Sequence, residues 1–456
     1  SQSINFLSTG FKIKIPKNAK ELILKLSAGG FEREKKIELQ GVIDYLLKKS
    51  RGETELEKFT DEWANDAFAT DELGTANREK LIRKHLSKGF GPVKKNTVVF
   101  RTYYGEKCVD SALAMHEDLV SRAKGKFKLY WGVKNEHVLV PKGGIGVIVG
   151  SKEWFKVLST SEYIVDNVHQ NDYFYKQKGQ KILQTFHGYP FKQMGYADWK
   201  QKGLSQLRVE SFQRRADEWD WVLAPAPYTE PLYKKAFKYN GKFIDKGYPR
   251  NDILFDEEKC QKINKDVRKK LGILSDKKVV LYAPTFRDYL STDEFHSKMV
   301  SSISNYQKFT EALGSDCVLL IRGHMMNARS DASFEESEQV KDVTNWDDIN
   351  DLIIASDLAI LDYSSLRFDW AQTHKPMIFF VPDLEKYKAE RQFLISYENT
   401  APGPKITTED DLIQSVKNVD KWSLKYKAAY QKFLKEYTPN EDGKAARRVN
   451  KIVFGV

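Results

Sequence analysis

The first 40 residues alternate apolar and polar side chains, most clearly over residues 11–15 and 22–26. A period of two residues predicts short strands. From residue 42 to about residue 88 the apolar positions take helical spacing, and glycine and proline over residues 89–92 end this stretch. We therefore expect a small β-plus-helical extension over residues 1–95. It begins abruptly and carries no site motif, so we expect it to belong to a longer chain.

From residue 96 onward, short apolar runs alternate with amphipathic stretches of helical length. The same alternation begins again after Tyr228. The runs lie at residues 98–100, 127–131, 145–149, 163–165 and 182–186, and then at 279–282, 318–321, 358–361 and 377–381. Strands that alternate with helices predict parallel βαβ units. We expect an α/β fold with two doubly wound domains, residues 96–235 and 236–456, facing a ligand cleft at the carboxyl ends of their strands.

Charge narrows the kinds of partner without choosing one. The chain of 456 residues has 74 Lys and Arg against 63 Asp and Glu, a formal net charge of +11. This surplus predicts a polyanionic partner, which leaves nucleic acid, an anionic membrane surface and a phosphorylated substrate open. Hydrophobic residues make up 41% of the chain, which excludes a disordered or collagen-like protein.

The cysteines and the apolar runs indicate the cellular compartment of the protein. The three cysteines are widely spaced without a CxxC pair, which predicts neither a disulfide framework nor a zinc site and favours a reducing compartment. No apolar run approaches the roughly 18 residues of a spanning helix, and the N-terminus lacks a signal-peptide profile. We expect a protein that neither crosses a membrane nor is exported.

The first of four junctions between a predicted strand and a helix presents a histidine. The run ending at Phe186 is followed by His187, Gly188, Tyr189 and Pro190. A histidine titrates near neutral pH and suits a general base, and Gly188 permits close backbone approach to a ligand. The alternative is a loop histidine that is hydrogen-bonded to the backbone.

Two further junctions lie in the second half of the chain. One apolar run is followed by Pro284, Thr285 and Arg287, and the next by Arg322, Gly323 and His324. For the first of these, the alternative is a capped helix start with a surface salt bridge. Two histidines in like positions, one in each half, favour a shared site.

The fourth junction carries hydroxyl groups. Ser364 and Ser365 follow the run at residues 358–361 and lie at the predicted N-terminus of a helix, where they can hold a phosphate. Asp369 follows on that helix. Ordinary N-capping is the alternative. Together the four junctions predict a cleft with two histidines, arginines and a phosphate site.

These motifs resemble, in order and spacing, those of the CDP-glycerol glycerophosphotransferase family, the teichoic acid primases and polymerases of bacteria. The resemblance spans about residues 96 to 440 and rests on residues 187–192, 282–287, 322–324 and 362–365. It implies a GT-B fold, with Rossmann-like domains for acceptor and donor. It also implies transfer of a polyol phosphate, most simply glycerol phosphate, from a CDP-polyol to the terminal hydroxyl of a lipid-linked, polyanionic acceptor. CMP is released, in teichoic-acid-like or capsule polymer synthesis.

Carried over by position, His187 and His324 match the two essential histidines of the family. We expect His187 to act as general base, and His324 with Arg322 to stabilise charge on the phosphate. The chain departs from the family pattern at Phe186, Phe191 and Met325. The expected substrate-binding residues are Phe186, Gly188, Tyr189, Pro190, Arg250, Pro284, Thr285, Arg287, Arg322, Gly323, Ser364, Ser365 and Asp369.

No D-x-D sequence occurs in the chain, so there is no sign of a metal-bound diphosphate. We expect no cofactor and no metal ligands, because basic side chains and helix N-termini would neutralise the donor. A loosely bound Mg²⁺ stays open.

Residues 191–221 mix aromatic and basic side chains, and Lys234, Lys235, Lys238 and Lys242 follow closely. This pattern predicts a helix in an anionic lipid interface or, as the alternative, a helix packed on the core with a basic solvent face. We expect peripheral attachment to the cytoplasmic face of the cell membrane.

Three rivals to glycerol phosphate transfer stay open. They are a CDP-ribitol enzyme, a GT-B glycosyltransferase that uses a nucleotide sugar, and a nucleic-acid-binding protein. Nucleic acid is the least favoured partner, because no helix-turn-helix, zinc-finger or RNA-recognition pattern occurs.

Overall fold

The structure is a computed structural model. It describes the backbone of four N-terminal strands, together with residues 82, 84–86, 89–285, 303–323 and 337–456. Strand β1 (Gln2–Asn5) pairs antiparallel with β2 (Lys12–Ile15), and β3 (Glu21–Ala28) pairs antiparallel with β4 (Phe31–Glu38). The strands predicted for this extension are confirmed. Of the predicted helical stretch up to residue 88, only residues 82 and 84–86 are described, and they are helical; the rest lies outside the described residues.

The first parallel sheet has seven strands in the order β11-β10-β9-β8-β5-β6-β7. The chain runs from β5 through β6 to β7 and then returns to place β8 beside β5, so the order reverses between β5 and β8. The strands are β5 (Lys94–Arg101), β6 (Lys128–Val133), β7 (Gly144–Ile148), β8 (Ser161–Asp166), β9 (Lys181–Gln184), β10 (Trp221–Leu223) and β11 (Lys242–Ile244). The helices are α1 (Asp110–Arg122), α2 (Lys152–Thr160), α3 (Tyr196–Gln201), α4 (Gln206–Asp217) and α5 (Thr229–Phe237).

The second parallel sheet has six strands in the order β14-β13-β12-β15-β16-β17. Its order reverses between β12 and β15. The strands are β12 (Lys278–Ala283), β13 (Cys317–Ile321), β14 (Val340–Asp342), β15 (Leu358–Leu361), β16 (Met377–Phe380) and β17 (Lys405–Ile406). The helices are α6 (Glu257–Lys270), α7 (Tyr306–Leu313), α8 (Ile349–Ala355), α9 (Leu366–Trp370), α10 (Leu384–Glu390), α11 (Glu409–Lys417), α12 (Val419–Tyr437) and α13 (Ala445–Phe454).

The central strands are buried on both faces, which is why they read as continuous apolar runs. Every residue of β8, β13, β15 and β16 is buried. Polar side chains begin several helices, because a free backbone N–H in the first turn needs an acceptor. Ser151 accepts from Trp154 at the start of α2, and Ser205 accepts from Arg208 at the start of α4. The two predicted α/β domains are confirmed.

The first sheet extends beyond residue 235, the expected end of its domain. Strand β11 pairs with β10, so residues 242–244 belong to the first sheet. The C-terminal helix α13 also returns to this domain, where the Nδ2 of Asn450 donates to the backbone oxygen of Met115 at 2.9 Å. The chain therefore crosses between the domains twice.

The aromatic side chains of residues 191–221 point inward. Phe191, Trp199 and Trp219 are buried, and Phe212 packs against the apolar core that contains Trp199 and Trp219. Lys200 and Lys202 are exposed, as are Lys234, Lys235, Lys238 and Lys242. The packing therefore favours the alternative of a helix on the core with a basic solvent face. Among the residues that the structure describes, no helix has both the length and the apolar character needed to cross a membrane.

Candidate active site

The first side of the cleft is built where the order of the first sheet reverses, at the carboxyl ends of β5 and β8, the usual position of ligands in such sheets. Arg101 and Asp166 end these two strands and form a buried ion pair of 2.6 Å. Directly after β5, Tyr103 and Tyr104 have φ angles of +47° and +58°, which non-glycine residues rarely adopt. Backbone strain of this kind is concentrated at functional sites.

His187 lies three residues beyond the end of β9 and is exposed in the cleft. The preceding residue, Phe186, has a φ of +52°, and its ring stacks on Tyr233 at a centroid distance of 4.6 Å. Phe186 thus fixes the turn that presents His187. The ring of Tyr103 lies 5.7 Å from the ring of His187.

One ring nitrogen of His187 is fixed by the backbone. Its Nδ1 lies 2.9 Å from the carbonyl oxygen of Asn167, which follows β8. A carbonyl oxygen only accepts hydrogen bonds, so Nδ1 carries the proton and, in the neutral ring, Nε2 keeps a lone pair. The predicted alternative, a histidine hydrogen-bonded to the backbone, is therefore present, and it leaves Nε2 chemically able to accept a proton.

The residues after His187 support the loop. The N–H of Gly188 donates to the hydroxyl of Tyr248 at 3.0 Å, and a Cβ on Gly188 would lie 2.9 Å from the Oγ of Ser365. This close approach joins the two domains, and a side chain at position 188 would force the hydroxyl of Ser365 to move. Tyr189 and Pro190 are buried, and Tyr189 donates its hydroxyl proton to Glu441. Burial raises the pKa of Glu441 to about 8.

Arg250 connects the two domains below His187. Its Nη1 donates to the backbone oxygen of His187 at 2.6 Å and to Asp110 at 3.3 Å, both in the first domain. Its Nε donates to Asp369 of the second domain at 3.0 Å, and Nη2 bonds the other oxygen of the same carboxylate. Asp369 is fully buried. Two residues expected to bind the donor are therefore paired with each other, and they hold the cleft together.

The second side of the cleft is built where the order of the second sheet reverses, at the ends of β12 and β15. Thr285 donates its N–H and its hydroxyl to Asp362, at 2.8 Å and 2.6 Å. Pro284 beside it is buried. The hydroxyl of Ser364 accepts from the N–H of Leu366, the first residue of α9, at 3.1 Å, and Ser365 faces Gly188. The motif residues at these two junctions are thus brought together.

Arg322 and Gly323 follow β13; Arg322 lines the pocket between the domains, and Gly323 is buried. The Nη1 of Arg322 donates to the backbone oxygens of Val343, at 2.7 Å, and Trp346. Burial lowers the pKa of Arg322. The N–H of Gly323 donates to Thr344 at 3.0 Å. His324 and Arg287 lie outside the described residues, so their placement in the cleft stays a prediction.

Several residues of the site escaped the sequence motifs. Asp110 accepts from the hydroxyl of Tyr103 at 2.8 Å, and the side chain of Asn167 accepts from the N–H of Tyr103 at 2.9 Å. Tyr103 and Asn167 lie just beyond the ends of β5 and β8, and Asp110 begins the helix α1 that follows β5, so the rule that singled out the other strand–helix junctions could have found them. Glu441 gave no such signal, because it lies in a loop between helices.

In the described part of the chain, no group of three or more His, Cys, Asp or Glu side chains is placed to hold a metal ion. The expectation of metal-independent chemistry stays a prediction.

Two parallel-sheet domains that face each other across a cleft define a GT-B-like transferase fold. Residues 85–455 match the family described as CDP-Glycerol:Poly(glycerophosphate) glycerophosphotransferase. The chain is 32% identical over 368 residues to a teichoic acid glycerol-phosphate transferase of Staphylococcus aureus, covering 79% of this chain and 93% of the relative.

Two further proteins, matched over a longer part of the chain, indicate the same family. The chain is 30% identical over 395 residues to a teichoic acid poly(glycerol phosphate) polymerase of Bacillus subtilis, covering 83% of this chain and 52% of the relative. A variant of the wall teichoic acid polymerase TagF, soaked with CDPG, superposes with a TM-score of 0.76 at 27% identity over 91% of this chain and 98% of that one. The chain belongs to the CDP-glycerol glycerophosphotransferase family, and the GT-B-like fold predicted from its motifs is confirmed.

Proposed function

We propose that this enzyme transfers glycerol phosphate from CDP-glycerol to the terminal hydroxyl of a growing teichoic-acid-like or capsule polymer. The observation that carries the proposal is His187: its exposed ring lies against Tyr103, which lines the pocket, and its Nδ1 is bound to the carbonyl oxygen of Asn167, so the lone pair is on Nε2. A general base must offer a lone pair at the position where the attacking hydroxyl arrives.

In the proposed reaction, the acceptor hydroxyl oxygen attacks the phosphorus nearest the glycerol of the donor. Nε2 of His187 takes the hydroxyl proton as the new O–P bond forms. The bond from that phosphorus to the CMP oxygen breaks, and CMP leaves with the bonding electron pair. Arg322, together with His324, offsets the charge on the transferring and leaving phosphates.

The donor nucleotide is assigned to the second domain, because Thr285, Ser364 and Ser365 lie at the ends of β12 and β15. Glycerol is favoured over ribitol because the names of both curated relatives described above contain glycerol phosphate.

The test is a reaction with CDP-glycerol, CDP-ribitol or a nucleotide sugar, each with a lipid-linked acceptor analogue that ends in glycerol phosphate. Mass spectrometry identifies both products. We expect CMP and an acceptor longer by one glycerol phosphate unit. Release of a nucleoside diphosphate from the nucleotide sugar would instead identify a glycosyltransferase, and preferred use of CDP-ribitol would identify a ribitol phosphate enzyme.

We also propose that the acceptor is lipid-linked and that the protein docks peripherally on an anionic membrane, at the cytoplasmic face where nucleotide donors are present. Support comes from the exposed Lys200, Lys202, Lys234, Lys235 and Lys238. Since the neighbouring aromatic rings are buried, docking would be electrostatic and would weaken with salt.

Vesicle sedimentation tests this docking. We expect binding to vesicles with anionic lipid, loss of that binding when the five lysines are changed to glutamine, and no binding to neutral vesicles. A variant with glutamine at Lys259, Lys262 and Lys265 of α6 is the matched control. Equal binding to neutral and anionic vesicles would contradict the proposal.

A further inference from the structure

An open pocket with charges of both signs lies between the domains beside His187. Tyr103, which lines it, contacts the ring of His187, and Arg250, which also lines it, bonds the backbone oxygen of His187. The first domain contributes Lys107, which belongs to none of the sequence motifs. The second domain contributes Arg322, Asp347 and Asp348.

Three cations line the pocket: Arg250 is paired with Asp110 and Asp369, whereas Lys107 and Arg322 have hydrogen-bond donors to spare. The Nζ of Lys107 reaches across the cleft to the backbone oxygen of Asp347 at 3.0 Å. Arg322 is anchored through Nη1 to backbone oxygens, and its Nε and Nη2 have no partner in the part of the chain that the structure describes. Neither side chain forms an ion pair with a described carboxylate. Burial lowers the pKa of both, and the positive charge of Arg322 further lowers that of Lys107. An anion bound between them would relieve this cost.

Three carboxylates line the pocket: Asp110 is paired with Arg250, whereas Asp347 and Asp348 are available to a different part of a ligand. Asp348 accepts from the N–H of Asn350 at 2.9 Å through Oδ1 and so caps α8, while its Oδ2 has no partner among the described residues. Asp347 beside it is exposed. Carboxylate oxygens repel a phosphate but accept hydrogen bonds from hydroxyl groups. A ligand that combines a phosphate with neighbouring hydroxyls satisfies both halves of the pocket.

We propose that this pocket binds a polyol phosphate, with the phosphate on Lys107 and Arg322 and the polyol hydroxyls on Asp347 and Asp348. The proposal rests on the proposed function and extends it to residues outside the motifs. A polyol phosphate is present in both substrates, as the end of the donor that is transferred and as the last unit of the acceptor. In either case the pocket fixes the polyol phosphate next to Nε2 of His187.

Direct binding tests the pocket without relying on catalysis. Titration calorimetry compares racemic glycerol phosphate with inorganic phosphate as ligands of the full chain. We expect glycerol phosphate to bind more tightly. Lys107→Ala should weaken both ligands at least about tenfold, because each loses a charge-assisted hydrogen bond, and Lys107→Arg should restore binding.

Asp348→Asn isolates the hydroxyl half of the pocket. Asparagine is as good an N-cap as aspartate, so α8 should keep its start while the carboxylate is lost. We expect weaker binding of glycerol phosphate and undiminished binding of inorganic phosphate. Lys134→Ala is the matched control, because Lys134 pairs with Glu106 outside the pocket and its loss should change neither ligand.

The outcomes separate the pocket from the reaction. The proposal is overturned if wild-type protein binds glycerol phosphate no better than inorganic phosphate, or if Lys107→Ala binds both ligands like wild type. In the transfer assay, inhibition by glycerol phosphate that is competitive with CDP-glycerol assigns the pocket to the donor, and inhibition competitive with the acceptor assigns it to the acceptor. Inhibition by glycerol phosphate that is competitive with neither the donor nor the acceptor contradicts the pocket proposal. If glycerol phosphate binds as expected but no CMP is released in the transfer assay, the proposed function is overturned and the pocket proposal still holds.

Discussion

The two sides of the cleft prepare their functional groups differently. In the first domain, Asn167 binds one ring nitrogen of His187 and leaves the lone pair on the other. In the second domain, Thr285 uses both its N–H and its hydroxyl on Asp362, so it shapes the loop after β12. Under the proposed function, the first side would hold a reactive group in position, and the second side would hold a binding surface in shape. Changes on the first side should alter the rate of transfer, and changes on the second should alter the affinity for the donor.

Loss of the base should have the largest effect on the reaction. His187→Ala removes the proton acceptor and should lower the rate of CMP release about 10²–10⁴-fold, the usual contribution of general base catalysis. Because His187 is exposed, the free energy of unfolding should change by less than about 1 kcal/mol. His137→Ala, an exposed histidine away from the cleft, is the control. Full activity of His187→Ala would show that the first side of the cleft does not supply the base.

Arg250→Ala should damage both sides, because Arg250 bonds His187 and Asp369 together. It leaves the fully buried Asp369 without its counter-ion, which we expect to lower the free energy of unfolding by about 3–5 kcal/mol. Denaturant unfolding measures this. Lys134→Ala breaks a partly exposed ion pair and should cost less than about 1 kcal/mol. If both variants lose an equally small amount of unfolding free energy, the contact between the two domains does not depend on Arg250.

Thr285→Val tests the second side alone. It removes the hydroxyl that bonds Asp362 and keeps the shape of the side chain and the backbone N–H. We expect the KM for CDP-glycerol to rise up to about tenfold, because the loop after β12 loses one hydrogen bond to the charged Asp362 and with it part of its fixed shape, and we expect a smaller change in kcat. Steady-state kinetics at varied donor concentration measures both values. A fall in kcat with an unchanged KM would contradict the division between the two sides.

The smallest expected effect is on the pH dependence of stability, and it comes from Glu441. Its pKa is raised to about 8 by burial, so between its ordinary pKa near 4.5 and pH 8 the folded state holds a proton that the unfolded state has lost. Its contribution to stability is therefore complete at low pH and is lost as the pH rises through 8. Glu441→Gln cannot titrate and keeps an oxygen that accepts from Tyr189.

Urea unfolding at several pH values between 6 and 9 compares Glu441→Gln with wild type. We expect the variant to gain stability relative to wild type as the pH rises across this range. A constant difference between the two proteins would show that Glu441 does not titrate there.

Both sheets could be predicted from the sequence because their central strands are buried on both faces. The runs at residues 98–100, 163–165, 279–282 and 358–361 all became strands beside the reversal points of the two sheets. Short strands gave no signal, since β10, β11, β14 and β17 have only two or three residues each. The expected boundary at residue 235 therefore fell before β11.

The site was only partly predictable, for a physical reason. Motif residues follow strands, so His187, Thr285 and Arg322 could be found from local pattern. Tyr189 and Glu441 are 252 positions apart, and their hydrogen bond exists only once the C-terminal residues return to the first domain. Likewise, the mixed pattern of residues 191–221 did not indicate which face carries the aromatic rings, because the core that buries them comes from other segments.

The most direct test of the account is the protonation of His187 itself. Nitrogen-15 NMR of the histidine side chains, assigned by comparison with His187→Ala, distinguishes the two neutral tautomers. We expect a proton on Nδ1, bound to the carbonyl oxygen of Asn167, and a bare Nε2 at a pH where the ring is neutral. A proton on Nε2 in the neutral ring would contradict the assignment of His187 as the base, because that nitrogen could not then accept the proton of the attacking hydroxyl.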